Sequence, residues 1–188
     1  LHKEYRRQRQ MCIRDRVNCA GVWREGPVES FSEEDFDIVL DVNLKATFFM
    51  CSASIPALRQ SKGAIVNISS DAGRQGNRNA AAYCASKGAV TLMTKALALD
   101  LAPDGVRCNS VSPGDVETPM LKFQAERYGN GDTAAYYQEL LAKYPQGEAA
   151  RFIQPGEVAD LAFFLCQSGA RSITGADLAI DCGVSAGN

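Results

Sequence analysis

Three short runs carry a strand-like pattern: AIVNIS from Ala64, VRCNSVS from Val106 and DLAIDC from Asp177. Each is separated from the next by helical sequence. Short buried strands alternating with helices argue for a parallel sheet covered by helices on both faces. The intervening punctuation supports this reading. Ser30 or Ser32 can cap a helix whose first turn holds Glu33, Glu34 and Asp35, where acidic groups complement the helix dipole. That helix is expected to run to about Leu58, with Gly63 breaking the chain before the first of the three strands. A polar loop follows from about Ser70 to Asn79, then a helix from about Ala81 to Ala102, and Pro103-Asp104-Gly105 makes a turn. Pro113-Gly114 ends the next strand, Pro155-Gly156-Glu157 opens another helix, and Ile173-Thr174-Gly175 turns into the last strand. Residues 119–150, polar with helical patches around GNGD, read as a mobile lid. Residues 1–16 are strongly basic and lack a period that would bury, so they read as a non-native or disordered tail preceding a domain at 17–188.

With 188 residues, 46% of them apolar, the chain can bury one substantial core. A net charge of −2 with no basic stripe argues against nucleic acid as a partner. The apolar runs fall short of a spanning helix and no signal peptide is recognisable, so the expectation is a soluble, cytoplasmic protein without a membrane partner. Seven cysteines are scattered without a CxxC pair, which suits reduced thiols packing as small apolar groups. His2 is the only histidine, which leaves little for a zinc site or a histidine-based nucleophilic triad, and no metal is expected.

The chemistry is concentrated in Asn67–Ala102. Tyr83 and Lys87 are four apart, one turn along a single helix face, and Tyr83 lies thirteen residues after Ser70. A phenol beside an ammonium is expected to ionise more readily, making it a usable proton donor and acceptor near neutral pH. A nearby serine hydroxyl can hold the oxygen that receives the proton. This combination suggests carbonyl/alcohol redox chemistry in which a cofactor handles the hydride.

In order and spacing, these elements resemble the short-chain dehydrogenase/reductase family, of the compact single-domain type, from Val17 to about Gly187. Asn18-Cys19-Ala20-Gly21 resembles the family's NNAG element, and Asn43 in DVNLKATF matches the helix asparagine of its catalytic tetrad. Ser70, Tyr83 and Lys87 match the other three members. Asn109 and Pro113-Gly114 match the segment beside the nicotinamide, with Val116 and Thr118 at contact positions. YxxxK alone is a weak motif; five elements in register are not. The resemblance implies a Rossmann-like doubly wound parallel sheet and an NAD- or NADP-dependent oxidoreductase interconverting a small alcohol and a ketone or aldehyde. It makes Tyr83 the general acid/base and Lys87 the group that lowers its pKa and binds the nicotinamide ribose. Ser70, rather than Ser69, would hold the substrate oxygen, and Asn43 would anchor a relay water. Asn18, Ala20, Gly21, Tyr83, Lys87, Pro113, Gly114, Val116 and Thr118 would contact the cofactor, although Thr118 could instead cap the following helix. Apolar residues Phe48, Phe49, Met50, Leu92, Met93, Leu97 and Leu99 lie on more than one helical face, which suits a homodimer or homotetramer.

The family's glycine-rich phosphate loop has no counterpart here, because Gly21 is the first glycine in the chain. The resemblance therefore implies a domain lacking its first three strand–helix units, with no residue to choose NAD or NADP and little activity alone. Three competing readings share parts of this pattern. A nucleotide-sugar epimerase or dehydratase would need a larger C-terminal region. A non-catalytic cofactor sensor or scaffold need not keep Ser70, Tyr83 and Lys87. A 3-oxoacyl-thioester reductase would be a specific activity within the same chemistry. The polar loop Arg74–Asn79 and the tyrosines Tyr128, Tyr136 and Tyr137 hint weakly at a hydroxylated substrate, although a plain solvated loop is the slightly better account.

Overall fold

The computed structural model describes residues 13–187, so the expectation for residues 1–12, with His2 and Cys12, lies outside the described residues. Four strands form one parallel sheet: β1 Asp15–Asn18, β2 Ala64–Ile68, β3 Arg107–Pro113 and β4 Asp177–Ile180, in spatial order β1-β2-β3-β4. Asp15 pairs with Ala64, Ala64 with Arg107, and Ser110 with Asp177. Helices α1 (Glu33–Ser61) and α2 (Ala81–Leu101) cover one face, and α5 (Pro155–Cys166) covers the other. Between β3 and α5 the chain forms α3 (Pro119–Tyr128) and α4 (Thr133–Leu141), which pack on each other.

Strand alternation explains the two layers. Ile65 and Cys108 face Cys51, Leu58, Ala98 and Leu101 of α1 and α2. Val66 and Val111 point the opposite way, onto Ala162, Leu165 and Ala170. All six described cysteines are unbonded, and Cys51 and Cys108 are core residues. Ser32 is the serine that caps α1, accepting from the Asp35 amide.

Two local expectations need correction. First, α1 runs three residues past Leu58 to Ser61, and a π-helical turn at Asp41–Lys45, not expected from the sequence, joins two α-helical halves into 29 continuous residues. By length and composition alone that helix could cross a bilayer, contrary to the expectation from the apolar runs. Its first turn, however, is triply acidic, and Val39, Asn43, Thr47, Cys51 and Leu58 are buried within the domain. Second, the boundary at Val17 cuts through β1. Asp15 and Arg16 pair with Ala64 and Ile65, the Asp15 carboxylate accepts from the Ala64 amide at 2.9 Å, and the Arg16 guanidinium donates to Asn18 at 2.6 Å. Parallel pairing uses backbone groups that any residue carries, so a polar edge segment leaves no hydrophobic period to read. Among the described residues, nothing pairs with the outer side of β1.

Candidate active site

A parallel sheet sends the C-terminal ends of its strands to one edge, where open α/β sheets place their ligand crevices. Here β1 delivers Cys19–Trp23, β2 delivers Ser69–Asp71, and β3 delivers Gly114–Thr118. The α2 N-terminus meets them with Tyr83 and Lys87 on its first two turns. Together they line a cavity of about 340 Å³, with α3 contributing Met120, Leu121 and Gln124 and α5 contributing Val158, Ala159 and Ala162.

Ser70, Tyr83 and Lys87 converge on this cavity and are 8%, 6% and 4% exposed. The Ser70 hydroxyl lies beside the Tyr83 phenol and donates to Asp71 Oδ1 at 2.8 Å, while the Ala72 amide donates to Ser70 Oγ at 3.1 Å. The Ser69 hydroxyl is instead spent on α2, donating to the Lys87 carbonyl at 3.0 Å and pairing with Thr91 at 2.7 Å. This division singles out Ser70 as the serine that faces the phenol. The Trp23 ring lies 4.3 Å from the Tyr83 ring, centroid to centroid, and helps bury it.

The titration of Tyr83 runs opposite to expectation. Burial is the main cause and drives its pKa well above the ordinary phenol range; the Ser70 contact opposes this, and the nearby Asp71 charge adds to it. Lys87 does not pull the phenol down, because its Nζ lies 5.7 Å from the ring centroid and donates to the Ile68 carbonyl at 3.0 Å. Burial also pushes the Lys87 ammonium down, to about 8. Helical spacing placed both groups on one face, but it did not determine where a long lysine stem would end.

Asn43 sits in the π-helical turn and is fully enclosed. It donates to the Val22 carbonyl at 3.0 Å and to Ser86 Oγ at 3.1 Å, and it accepts from the Val22 amide at 2.8 Å. It therefore ties the segment after β1 to α1 and α2. A side-chain carbon at Gly21 would stand 3.4 Å from Asn43 Oδ1 and 3.5 Å from Lys87 Nζ, so Gly21 marks where these elements meet the cavity. Asn18 does not line the cavity; its amide donates to Asn67 at 2.8 Å and to Cys51 at 3.2 Å in a buried network. Ala20 is exposed and also lies off the wall, whereas Gly21, Pro113, Gly114, Val116 and Thr118 all line it. Thr118 caps α3 through the Leu121 amide at 3.4 Å and donates to the Val116 carbonyl at 3.2 Å. Asn109 is turned away, fastening β3 to the chain before β4 through Ile173 and Ala176.

Cavity residues that sequence reasoning passed over are Trp23, Asp71, Asp115 and Gln124. Asp115 directly follows Pro113-Gly114, a signal available in the chain. Burial and the Asp71 charge push its carboxyl up to about 6.

The profile of the family described as enoyl-(acyl carrier protein) reductase matches residues 14–185. The chain belongs to the short-chain dehydrogenase/reductase family. Among curated members, trans-4-hydroxycyclohexanecarboxylate dehydrogenase of Sinomonas cyclohexanicum is 37% identical over 172 residues, 92% of this chain and 60% of that protein. Cyclopentanol dehydrogenase of Comamonas sp. is 40% identical over 171 residues, 90% and 65% respectively. A solved family member, the F189W variant of actinorhodin polyketide ketoreductase with NADPH, superposes with a TM-score of 0.84 at 36% identity, covering 91% of this chain and 67% of that one. The chain thus spans 60–65% of the length of these curated short-chain dehydrogenases.

Proposed function

We propose that this chain carries the proton-transfer and substrate-binding part of an NAD- or NADP-dependent oxidoreductase that interconverts a small alcohol and its ketone or aldehyde. The observation that carries this reading is the convergence of Ser70, Tyr83 and Lys87 on one cavity at the strand ends. Ser70 holds the substrate oxygen, and Tyr83 gives it a proton in reduction or takes one in oxidation. Burial keeps the phenol protonated at neutral pH, which suits it as an acid. Lys87, mostly an ammonium at pH 7, meets the charge left on Tyr83 after transfer by turning from the Ile68 carbonyl toward the phenol. A bound nicotinamide would donate or accept the hydride at the substrate carbon. The residues present fit that half of the cofactor: Gly21, Tyr83, Lys87, Pro113, Gly114, Val116 and Thr118 supply a lysine donor, hydroxyls and close backbone around the cavity. Asn43 supports the site as a positioning residue and as an anchor for a relay water.

Because the chain has no glycine-rich phosphate loop, the 188 residues alone are expected to turn over NAD(P)H weakly. The outward apolar residues Phe48, Phe49, Leu92 and Leu99, 48%, 60%, 69% and 78% exposed, suit pairing of α1 and α2 with a second copy in a homodimer or homotetramer, in the cytoplasm. Grafting the opening strand–helix units of the Comamonas enzyme ahead of Arg14 tests the function. NAD(P)H-dependent reduction of a cyclic ketone that vanishes in Tyr83→Phe supports it; turnover untouched by that change favours a cofactor-sensing scaffold.

A further inference from the structure

We propose that Gln124, Asp115 and Asp71 form a subsite for a neutral substrate that carries a second hydroxyl beside the reacting carbon, as a vicinal diol or polyol does. The proposal rests on the alcohol/ketone reading above and specifies its substrate class.

Gln124 on α3 is 8% exposed and lines the cavity, and its carboxamide has no hydrogen-bond partner among the described residues. An amide has two donors and an acceptor, and no side-chain nitrogen or oxygen among the described residues is both fully buried and unpartnered, so the Gln124 carboxamide reaches open cavity space. Among the described residues it borders two cavities, the catalytic one and the adjoining one walled by residues 75–79 and α4.

Asp71 and Asp115 line the same catalytic cavity. Asp71 accepts from Ser70, the serine assigned to the reacting oxygen, so its position is next to the chemistry. Asp115 accepts from the Tyr144 hydroxyl at 3.2 Å, and that hydroxyl accepts from the Asp115 amide at 2.8 Å, which holds the side chain in place. Neither carboxylate forms an ion pair among the described residues. Two acceptor-only groups leave lone pairs for O–H donors and repel an anion. Among the described residues Lys87 is the one cation on the wall, and it is turned to Ile68. Trp23, Met120 and Leu121 supply apolar surface for ring carbons. A ligand matching all of this presents a carbon skeleton to the apolar side and neighbouring hydroxyls to Gln124 and the carboxylates.

The test uses the 188-residue chain and ligand-observed NMR titration with cis-1,2-cyclohexanediol, cyclohexanol, trans-2-aminocyclohexanol and cyclohexanecarboxylate. A hydrogen bond to a charged acceptor contributes about tenfold or more in affinity, so the diol is expected to bind about tenfold tighter than cyclohexanol. In Gln124→Met, close in volume, and in Asp115→Asn, that ratio should fall below about threefold, with near-UV circular dichroism verifying the fold. A merely structural role would lower both affinities and keep the ratio, which overturns the proposal. Tightest binding of the amine or the carboxylate also overturns it. Equal binding of diol and cyclohexanol overturns the subsite alone, whereas binding of neither overturns the alcohol pocket as well.

Discussion

Lys87→Met should make this domain more stable at neutral pH. Burial brings the Lys87 ammonium from its ordinary 10.5 down to about 8. That depression corresponds to about 3 kcal/mol spent in keeping the group charged at pH 7. Methionine keeps the unbranched apolar stem and removes the charge. It also removes the hydrogen bond to the Ile68 carbonyl, which costs about 1 kcal/mol. The net expectation is a gain of about 2 kcal/mol at pH 7. The pH dependence supplies the sharper check. A depressed lysine favours the neutral form in the folded state, so its contribution is fully present above 10.5 and is lost as pH falls through about 8. Wild-type stability, measured against Lys87→Met by urea unfolding, should therefore recover by about 2 kcal/mol between pH 7 and pH 9.5. Taking the difference cancels the cysteines and other tyrosines that titrate in the same range. A variant less stable than wild type at pH 7, or a gap that does not change with pH, would refute the reasoning.

Three further outcomes follow from the geometry. A side-chain carbon at Gly63 would fall 1.4 Å from the Arg14 carbonyl oxygen, so Gly63→Ala should detach the start of β1. The expected loss is about 2 kcal/mol or more, with hydrogen-exchange protection lost first at residues 15–18; wild-type protection there would count against the β1 assignment. At Gly73 an added carbon would lie 2.9 Å from the Lys87 backbone C and O, so Gly73→Ala should shift the Ser70 turn off α2. In the grafted enzyme this should cost on the order of 100-fold in turnover, while a fully active variant would show that the turn is not held in register. Because the phenol is held protonated, alcohol oxidation by the grafted enzyme should rise from pH 7 to pH 8 while ketone reduction stays level, then falls above about 8 as Lys87 loses its charge. Parallel profiles in both directions would contradict that assignment of roles.

The layered parallel sheet was legible because β2 and β3 are buried runs and β4 a short apolar one, all punctuated by Gly and Pro, and because caps such as Ser32 have local signatures. The cluster of Ser70, Tyr83 and Lys87 was legible because two of its members share a helix face and the third ends the preceding strand. What escaped depended on tertiary context. The π-helical turn around Asn43 has no residue-type signature in DVNLK that a sequence pattern could register. The start of β1 is held by backbone pairing and by the Asp15 carboxylate on the Ala64 amide, neither of which leaves a hydrophobic period. The phenol's upward shift comes from Trp23 and the surrounding walls, and Lys87 turns to Ile68, neither of which follows from a spacing of four. The unpartnered amide of Gln124 emerges only when α3 folds over the strand ends. Asn18 belongs to a buried network with Asn67 and Cys51, so an element that resembles a cofactor motif also serves the core.

The most direct test of the central claim is NAD(P)H consumption by the grafted enzyme with cyclopentanone, compared with its Tyr83→Phe variant at equal cofactor affinity. General acid catalysis by the phenol predicts a loss of about 10²–10⁴-fold in turnover with the fold and cofactor binding retained. A Tyr83→Phe enzyme that binds the cofactor and turns over within twofold of its parent would contradict the account.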